Sequence, residues 1–315
     1  MAAPTILIVG ATGNTGRTVV STLSSLIQTA PHLSSHRLLA LTRSLSSPAA
    51  LALAALPNVE VIEQNWIDIT SSWLQSHNVV RAFIAPHNEP TQFAEESTFH
   101  LAALQGGVKY VVRISTTHAN VRPDCAAYYP RQHWAIEALL SSPEFKDLQW
   151  SSLQPNVFTS FYLGNAAEHI KQFRKTGKQD TLKLMAAKDA PVGIVHAPDV
   201  GIFAAHLLAS EDTSVHNGAK YVVNGPEDVT GEQIVKMIES YIGVPVENVV
   251  YKDMSAIEQW ANASGKTDTL VMSITHAAET EWEGKCTTAT TSKEALQIAA
   301  PKSTAAEVLK SLLEG

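Results

Sequence analysis

The sequence predicts an α/β fold: a Rossmann-type doubly wound parallel sheet with a smaller C-terminal substrate-binding lobe. Strand-like and helix-like segments alternate through the first half of the chain, a pattern typical of parallel strands joined by helices. A glycine-rich turn follows the first strand directly, at residues 10–16. Beyond residue 155 the alternation loosens and amphipathic helices dominate, which predicts the second lobe.

The strands are predicted from short runs of aliphatic and β-branched residues. These runs are residues 6–9, 37–41, 59–63, 79–85, 109–115, 149–153 and, late in the chain, 220–224. The helices between them are predicted at 18–27, 48–56, 69–76, 91–105 and 129–140. Five later helices are predicted at 161–175, 199–210, 231–242, 255–264 and 303–313.

The turn after the first strand carries glycines at three-residue spacing, and its residues are the first candidates for cofactor binding. Gly10 permits the tight turn, Gly13 lets phosphates approach the backbone, and Gly16 lets the helix pack closely on the strand. A helix that begins there turns its positive end toward the loop. The phosphate-binding loop is therefore predicted to comprise Gly10, Thr12, Gly13, Asn14, Thr15, Gly16 and Arg17.

The residues that end the second strand indicate which dinucleotide binds. An NAD site usually has a carboxylate there, but the first acidic residue of this chain is Glu60. Arg43 stands at that strand end, and a guanidinium can pair with a 2′-phosphate, so NADP(H) is predicted as the cofactor. The alternative is a solvated loop arginine. Asp68, after the third strand, is predicted either to meet the adenine or to cap the next helix.

Three residues could carry chemistry at the nicotinamide end of the crevice. Tyr129 and His133 lie one helical turn apart, and Ser115 ends the fifth strand. A tyrosine hydroxyl near a cation has a lowered pKa and can donate a proton. A protonated His133 could be that cation, or it could bind the nicotinamide ribose. Alternatively, Tyr129 only packs at the helix start, and His133 pairs with Glu137 along the helix face. No further ligand cluster accompanies them, so no metal site is expected.

Further site residues are predicted at the ends of other strands. Pro86 and Pro155 are expected to border the cofactor, as is Asn156, which could instead cap the following helix. Phe158, Phe161 and Tyr162 are candidates for an apolar substrate wall, although aromatic residues at helical spacing also form cores.

Composition limits the partners and the compartment. The formal net charge of −7 over 315 residues argues against nucleic acid as a partner. Two cysteines cannot form a disulfide framework, no apolar run is long enough for a membrane, and the first strand begins too early for a signal peptide. A cytoplasmic protein with a small-molecule substrate is therefore expected.

These features together resemble the NmrA-like family, atypical members of the short-chain dehydrogenase/reductase superfamily. The matching segments are the loop from Gly10 to Arg17, Thr42-Arg43, residues 107–115, the His133-x-x-x-Glu137 helix and residues 154–158. The resemblance implies an NADP(H)-binding domain with a small substrate lobe. The superfamily's usual Tyr-x-x-x-Lys appears here as Tyr129-x-x-x-His133, which lacks the ammonium that normally lowers the tyrosine pKa.

We therefore expect an NADP-binding Rossmann domain at 1–155, to which 190–225 return, and a substrate lobe at 156–189 and 226–315. The expected activity is NADPH-dependent reduction of a small apolar carbonyl, quinone or enone compound. Because some members of the family sense NADP(H) without turnover, a regulatory protein that binds a protein partner is the alternative. A third possibility is a redox-neutral isomerase or cyclase that uses the cofactor cleft.

Overall fold

A seven-stranded parallel sheet forms the centre of the protein in the computed structural model, which describes residues 3–263 and 268–314. Its strands are β1 Thr5–Val9, β2 Arg37–Thr42, β3 Val59–Glu63, β4 Val79–Ile84, β5 Tyr110–Ile114, β6 Gln149–Pro155 and β8 Ala219–Val223. The short strand β7 Leu182–Lys183 lies outside this sheet. A further short strand, β9 Val249–Val250, pairs with β7 outside the main sheet. Every residue of β1 is buried, as expected for a parallel strand covered on both faces.

The helices cover both faces of the sheet. The first eight are α1 Gly16–Thr29, α2 Pro48–Ala54, α3 Ser71–Ser76, α4 Gln92–Gly106, α5 Tyr128–Leu140, α6 Thr159–Tyr162, α7 Gly164–Thr176 and α8 Ala197–Ala209. The other helices of the described residues are α9 Gly231–Ile242, α10 Ser255–Ala263, α11 Thr269–Met272, α12 Glu279–Trp282, α13 Lys293–Ala299 and α14 Ala305–Glu314. One core joins α1 and α8 to the sheet, and a second joins α3, α4 and α5 to its other face.

Strand order places the crevice. The sheet runs β3-β2-β1-β4-β5-β6-β8, so the chain reverses direction across the sheet between β1 and β4. In open α/β sheets a ligand crevice lies outside the carboxyl ends of the strands at such a switch point. The glycine-rich turn predicted from the sequence follows β1 at this position.

A third core lies beyond the sheet, among α7, α9, α14 and the strand β7. The chain leaves the sheet after β6, returns with α8 and β8, and leaves again for α9. The helix α13 also lies against the sheet domain, where it packs on α8 and β8. No helix in the described residues has both the length and the apolarity needed to cross a membrane.

Several predicted boundaries change in the structure. The helix predicted at 161–175 is two helices, because the chain breaks at Leu163 between α6 and α7. Asp68 does not cap α3, since Thr70 Oγ1 accepts the Trp73 N–H at 3.2 Å; that alternative was wrong. The predicted end of the 255–264 helix at residue 264 lies outside the described residues.

Candidate functional site

The loop between β1 and α1 is shaped by its glycines. Gly10 has φ 81°, in the left-handed region that favours glycine, and its carbonyl accepts the Gly13 N–H at 3.0 Å. A Cβ on Gly16 would lie 2.1 Å from that carbonyl oxygen, so no other residue fits there without moving the loop. Within the described chain, the N–H groups of residues 14–16 have no hydrogen-bond partner. Free N–H groups at a helix amino terminus form an anion-binding site.

A single cavity of about 410 Å³ extends from this loop to the C-terminal lobe. Its wall includes residues at or just after the carboxyl ends of β4, β5 and β6, as the switch point predicts. The predicted site residues in its wall are Gly10, Gly13, Asn14, Thr15, Gly16, Pro86, Ser115, Tyr129, His133, Pro155, Asn156, Phe158 and Phe161. Those outside its wall are Thr12, Arg17, Arg43, Asp68 and Tyr162.

The surroundings of the loop fit a phosphorylated dinucleotide. Arg43 immediately follows β2, which pairs with β1, so its exposed side chain lies at the same edge of the sheet as the loop. Neither Arg17 nor Arg43 forms an ion pair with a described residue. A cation that lacks a carboxylate partner at this place is available for a phosphate.

Ser115 places an unpaired hydroxyl in the cavity. It directly follows β5 and is only 5% exposed, and its Oγ has no hydrogen-bond partner within the described chain. A buried hydroxyl without a partner is costly, and a ligand oxygen at this position would satisfy it. The predicted contact of Ser115 with a substrate is therefore compatible with the geometry.

Tyr129 differs from the sequence-based expectation in its acidity. Its hydroxyl is desolvated in the cavity wall, and this raises its pKa to about 12 in spite of a hydrogen bond with Thr116. The acidic side chains near the hydroxyl, which are Glu281, Cys125 and Tyr128, raise the pKa of Tyr129 further. The prediction that a nearby cation lowers the pKa of Tyr129 was wrong.

His133 is a buried neutral link in a polar network, so the expected protonated imidazole was wrong. Arg113 Nη2 donates to His133 Nδ1 at 2.8 Å, so the ring proton is on Nε2, which lies 3.1 Å from Asn88 Oδ1. Burial and the charge of Arg113 lower the pKa of His133 to about 3. Because Nε2–H donates to Oδ1, the amide N–H groups of Asn88 remain available in the cavity wall.

The same network shows that the predicted pair of His133 with Glu137 was wrong. Glu137 accepts from Ser152 at 2.7 Å and from Gln154, and it pairs with Lys220 at 3.3 Å. Arg113 is wholly buried and bonds Glu96 through two nitrogens, at 2.7 and 3.1 Å. These contacts hold α4 and α5 to β5 beneath the cavity.

Two other assignments change at the start of the lobe. Asn156 donates to Asn224 Oδ1 and to the Cys286 carbonyl, so it connects the end of β6 to two later segments of the chain. It does not cap α6, so the alternative prediction of a helix cap was wrong. Tyr162 belongs to the lobe core, is 4% exposed and does not line the cavity, so its predicted place in the substrate wall was wrong. Phe158 and the 58%-exposed Phe161 do line it.

The C-terminal lobe contributes residues that the sequence did not indicate. Met185, Met254, Ile257 and Ile274 make its part of the wall largely apolar. Glu281 of α12 also lines the cavity, although it is 4% exposed, and burial raises its pKa to about 8. No motif or spacing connects these positions to the glycine loop, and only the tertiary packing does.

The chain is similar to proteins of several known activities. It is 26% identical over 241 residues, 76% of this chain and 75% of the relative, to the (4-alkanoyl-5-oxo-2,5-dihydrofuran-3-yl)methyl phosphate reductase of Streptomyces griseus subsp. griseus. The NADPH-dependent quinone oxidoreductase of Escherichia coli, complexed with NADPH, has a similar structure: TM-score 0.73, 21% identity, 98% of this chain and 99% of that one. The negative transcriptional regulator NmrA, in complex with NADP, has a TM-score of 0.60 at 15% identity, over 100% of this chain and 92% of that one.

These likenesses in fold agree with the strand order and the position of the glycine loop. A sequence profile of the NmrA-like family matches residues 2–286, which is most of the chain. The protein therefore belongs to the NmrA-like family.

Proposed function

We propose that the protein is an NADPH-dependent reductase of a small, largely apolar carbonyl, quinone or enone compound. One observation carries the proposal: a single cavity joins the free N–H groups of the glycine loop to an apolar wall that contains the hydroxyls of Ser115 and Tyr129. Reduction of a bound carbonyl by a dinucleotide needs both a phosphate-binding end and an oxygen-binding end in one cleft.

The loop and the arginines would hold the cofactor. The pyrophosphate would lie on the backbone of residues 11–16, and Arg43 would pair with the 2′-phosphate of the adenosine. Pro86, Pro155 and Asn156 would then border the nicotinamide half. NADPH supplies a hydride when it is bound. The Streptomyces griseus reductase and the NADPH complex of the Escherichia coli quinone oxidoreductase support this assignment.

The side chains at the other end of the cavity would bind the substrate. Ser115 and Tyr129 are hydroxyl donors that can polarise one carbonyl oxygen, while Phe158 and Phe161 cover the apolar part of the substrate. The neutral His133 fixes the amide of Asn88 as a further donor. His133 is on this basis a positioning residue.

NADPH oxidation and cofactor binding together test the proposal. We expect calorimetry to give tighter binding for NADPH than for NADH, and NADPH oxidation with at least one quinone, aromatic ketone or cyclic enone. Absence of NADPH binding would refute the cofactor assignment. Tight binding without turnover across the panel would refute the reductase and favour a regulator.

The alternative function is an NADP(H)-sensing regulatory protein that binds a protein partner. The absence of a cation beside the Tyr129 hydroxyl in the described residues favours it, as does the likeness to the regulator NmrA. A redox-neutral isomerase or cyclase is distinguished from both by substrate conversion without net NADPH oxidation.

We also propose the two-part organisation and a reducing compartment. Return of α8 and β8 to the sheet supports one domain from 1–155 and 190–225, to which α13 is added from the predicted lobe. The core of α7, α9 and α14 supports a separate lobe. Cys125 and Cys286 are both free and buried, which is compatible with the cytoplasm. Limited proteolysis tests the first proposal and fractionation of cells tests the second.

A further inference from the structure

Glu281 is a buried acid that has no role in the cofactor binding and hydroxyl contacts proposed above. It lies on α12, in the C-terminal lobe, and its side chain lines the cavity that begins at the glycine loop. It is 4% exposed, and its Oε2 has no hydrogen-bond partner within the described chain. An acid that served only the fold would be expected to have such a partner.

The neighbours of Glu281 hold α12 in place without bonding the carboxyl. Thr280 donates its hydroxyl to Asn120 Oδ1 at 3.0 Å, on one side. On the other side, Trp282 Nε1 donates to the Met185 carbonyl at 2.8 Å. The helix is therefore fixed by the residues on either side, and the position of Glu281 in the cavity wall follows from those two contacts.

The groups that face Glu281 leave its charge unbalanced. They are Tyr129 from α5, Tyr162 from α6 and Cys286. Each is neutral near pH 7, because its ordinary pKa already lies above 7 and burial raises it further. The nearby Lys285 is exposed and pairs with Glu283 at 2.6 Å. A buried carboxylate without a cation or a hydrogen-bond donor is strongly disfavoured. The neutral carboxylic acid is the form that fits this place.

We propose that Glu281 is the proton donor of the cleft, and that it acts on a substrate whose reducible group includes a neutral carbonyl oxygen. The proposal rests on the reductase function. The hydride supplied by NADPH forms a new C–H bond on a ketone or an enone, or an O–H bond at one oxygen of a quinone. The displaced π electron pair moves to the carbonyl oxygen at the other end of the reducible group. The O–H bond of the acid breaks, a new O–H bond forms on the substrate oxygen, and Glu281 keeps the electron pair as a carboxylate.

The acidity of the two candidate donors favours Glu281 over Tyr129 for this step. A general acid works best when its pKa lies near the working pH. The pKa of Glu281 is about 8, whereas that of Tyr129 is about 12. Tyr129 then donates a hydrogen bond to the substrate oxygen, and Glu281 of the C-terminal lobe supplies the proton.

The test compares wild type with Glu281→Gln, which keeps the size and an N–H donor but has no transferable proton. Glu283→Gln is the matched control, because Glu283 lies two residues away and is exposed. Duroquinone is the probe, since its fully substituted ring resists thiol addition. We expect Glu281→Gln to lower kcat with NADPH by about 10²–10⁴-fold and to remove the decline of the wild-type rate above about pH 8, with NADPH affinity unchanged. Unchanged kcat and pH profile would overturn the proposal.

Two measurements on the protein without cofactor separate this proposal from the reductase function. Infrared difference spectra between low and high pH should contain a carboxylic acid C=O band that titrates near pH 8 and is lost only in Glu281→Gln. If wild type turns over no compound of the quinone, ketone and enone panel, the reductase proposal fails, and duroquinone binding then tests the role of Glu281. A duroquinone affinity that declines above about pH 8 in wild type but not in Glu281→Gln supports a contact between Glu281 and the carbonyl oxygen. Equal affinities that do not depend on pH overturn the proposal.

Discussion

Replacing Glu281 by glutamine should stabilise the folded chain at alkaline pH. The acid keeps its proton in the folded state up to about pH 8, whereas an unfolded chain gives it up near the ordinary value of 4.5. Between these two values the folded state binds more protons than the unfolded state, so the stability that depends on Glu281 declines as the pH rises. Above about pH 8 the decline ends.

The magnitude follows from the same two pKa values. At about 1.4 kcal/mol per pKa unit, the interval from 4.5 to about 8 corresponds to a cost on the order of 5 kcal/mol at alkaline pH. Because the side chain is 4% exposed, solvent screening removes little of it. Glutamine carries no charge at any pH, so the variant avoids this cost. At about pH 4.5 and below, Glu281 of the folded wild type is also uncharged, so only the small difference in stability between a carboxylic acid and an amide remains.

Urea unfolding, followed by tryptophan fluorescence without cofactor, measures the effect at several pH values. We expect the free energy of unfolding of Glu281→Gln to exceed that of wild type by several kcal/mol at about pH 8.5, and the two to agree closely at about pH 4.5. The exposed Glu283→Gln should give a difference from wild type of at most about 1 kcal/mol at both pH values, because exposed ion pairs contribute little. A wild-type-to-variant difference that stays constant over this range would refute the reasoning.

Four other substitutions test the rest of the cleft. Arg43→Glu should weaken NADPH by at least about 10-fold and NADH far less, measured by calorimetry, because it removes a charged partner of the 2′-phosphate. Tyr129→Phe should lower turnover by about 10-fold through loss of one hydrogen bond, with NADPH affinity retained. Arg113→Met should lower the free energy of unfolding by about 3–5 kcal/mol, since Glu96 is left charged and buried. Gly16→Ala should abolish NADPH binding or folding, because the new Cβ would lie 2.1 Å from a carbonyl oxygen.

Controls for these variants come from positions outside the cavity wall. Arg174→Glu, on α7, should leave the preference for NADPH unchanged; equal losses for NADPH and NADH in Arg43→Glu would contradict phosphate pairing. Gly164→Ala should be tolerated, since none of the neighbours that the structure describes comes within 4 Å of the position of the new Cβ. An unchanged rate in Tyr129→Phe would remove this hydroxyl from the mechanism. An Arg113→Met variant as stable as wild type would show that the buried pair is not required.

The fold could be predicted from the sequence because its signals are local. Each strand is a short aliphatic run and each crossover helix lies between two such runs, so the alternation alone indicates a parallel sheet. The glycine loop was identifiable for the same reason, since Gly10 and Gly16 follow β1 within a few residues. The break between α6 and α7 at Leu163 was not predictable, because the apolar spacing of the two helices is continuous in the sequence.

The errors at Tyr129 and His133 have a common physical cause. Helical spacing predicted correctly that the two rings share a helix face, and their centroids are 6.3 Å apart. The state of charge depends instead on burial, which is the main cause of the shifted pKa at both rings. At His133 it depends also on Arg113, which lies on β5 and donates to the ring. A pKa is set by burial and by nearby charges of any sequence separation, so a motif on one helix does not determine it.

The burial of Glu281 in the cavity wall could likewise not be predicted from the sequence. In the sequence it is one of three acids in five residues, at 279, 281 and 283, and such a run usually forms a solvated surface. The short helix α12 turns the first and last of these acids to solvent, where each has a basic partner, and turns the middle one into the cavity. An acid without a partner is costly to the fold, and ionisable groups whose pKa is strongly shifted in this way are concentrated at functional sites. The lobe therefore contributes chemistry as well as an apolar wall, and a search for the substrate should begin with compounds that present a carbonyl oxygen to it.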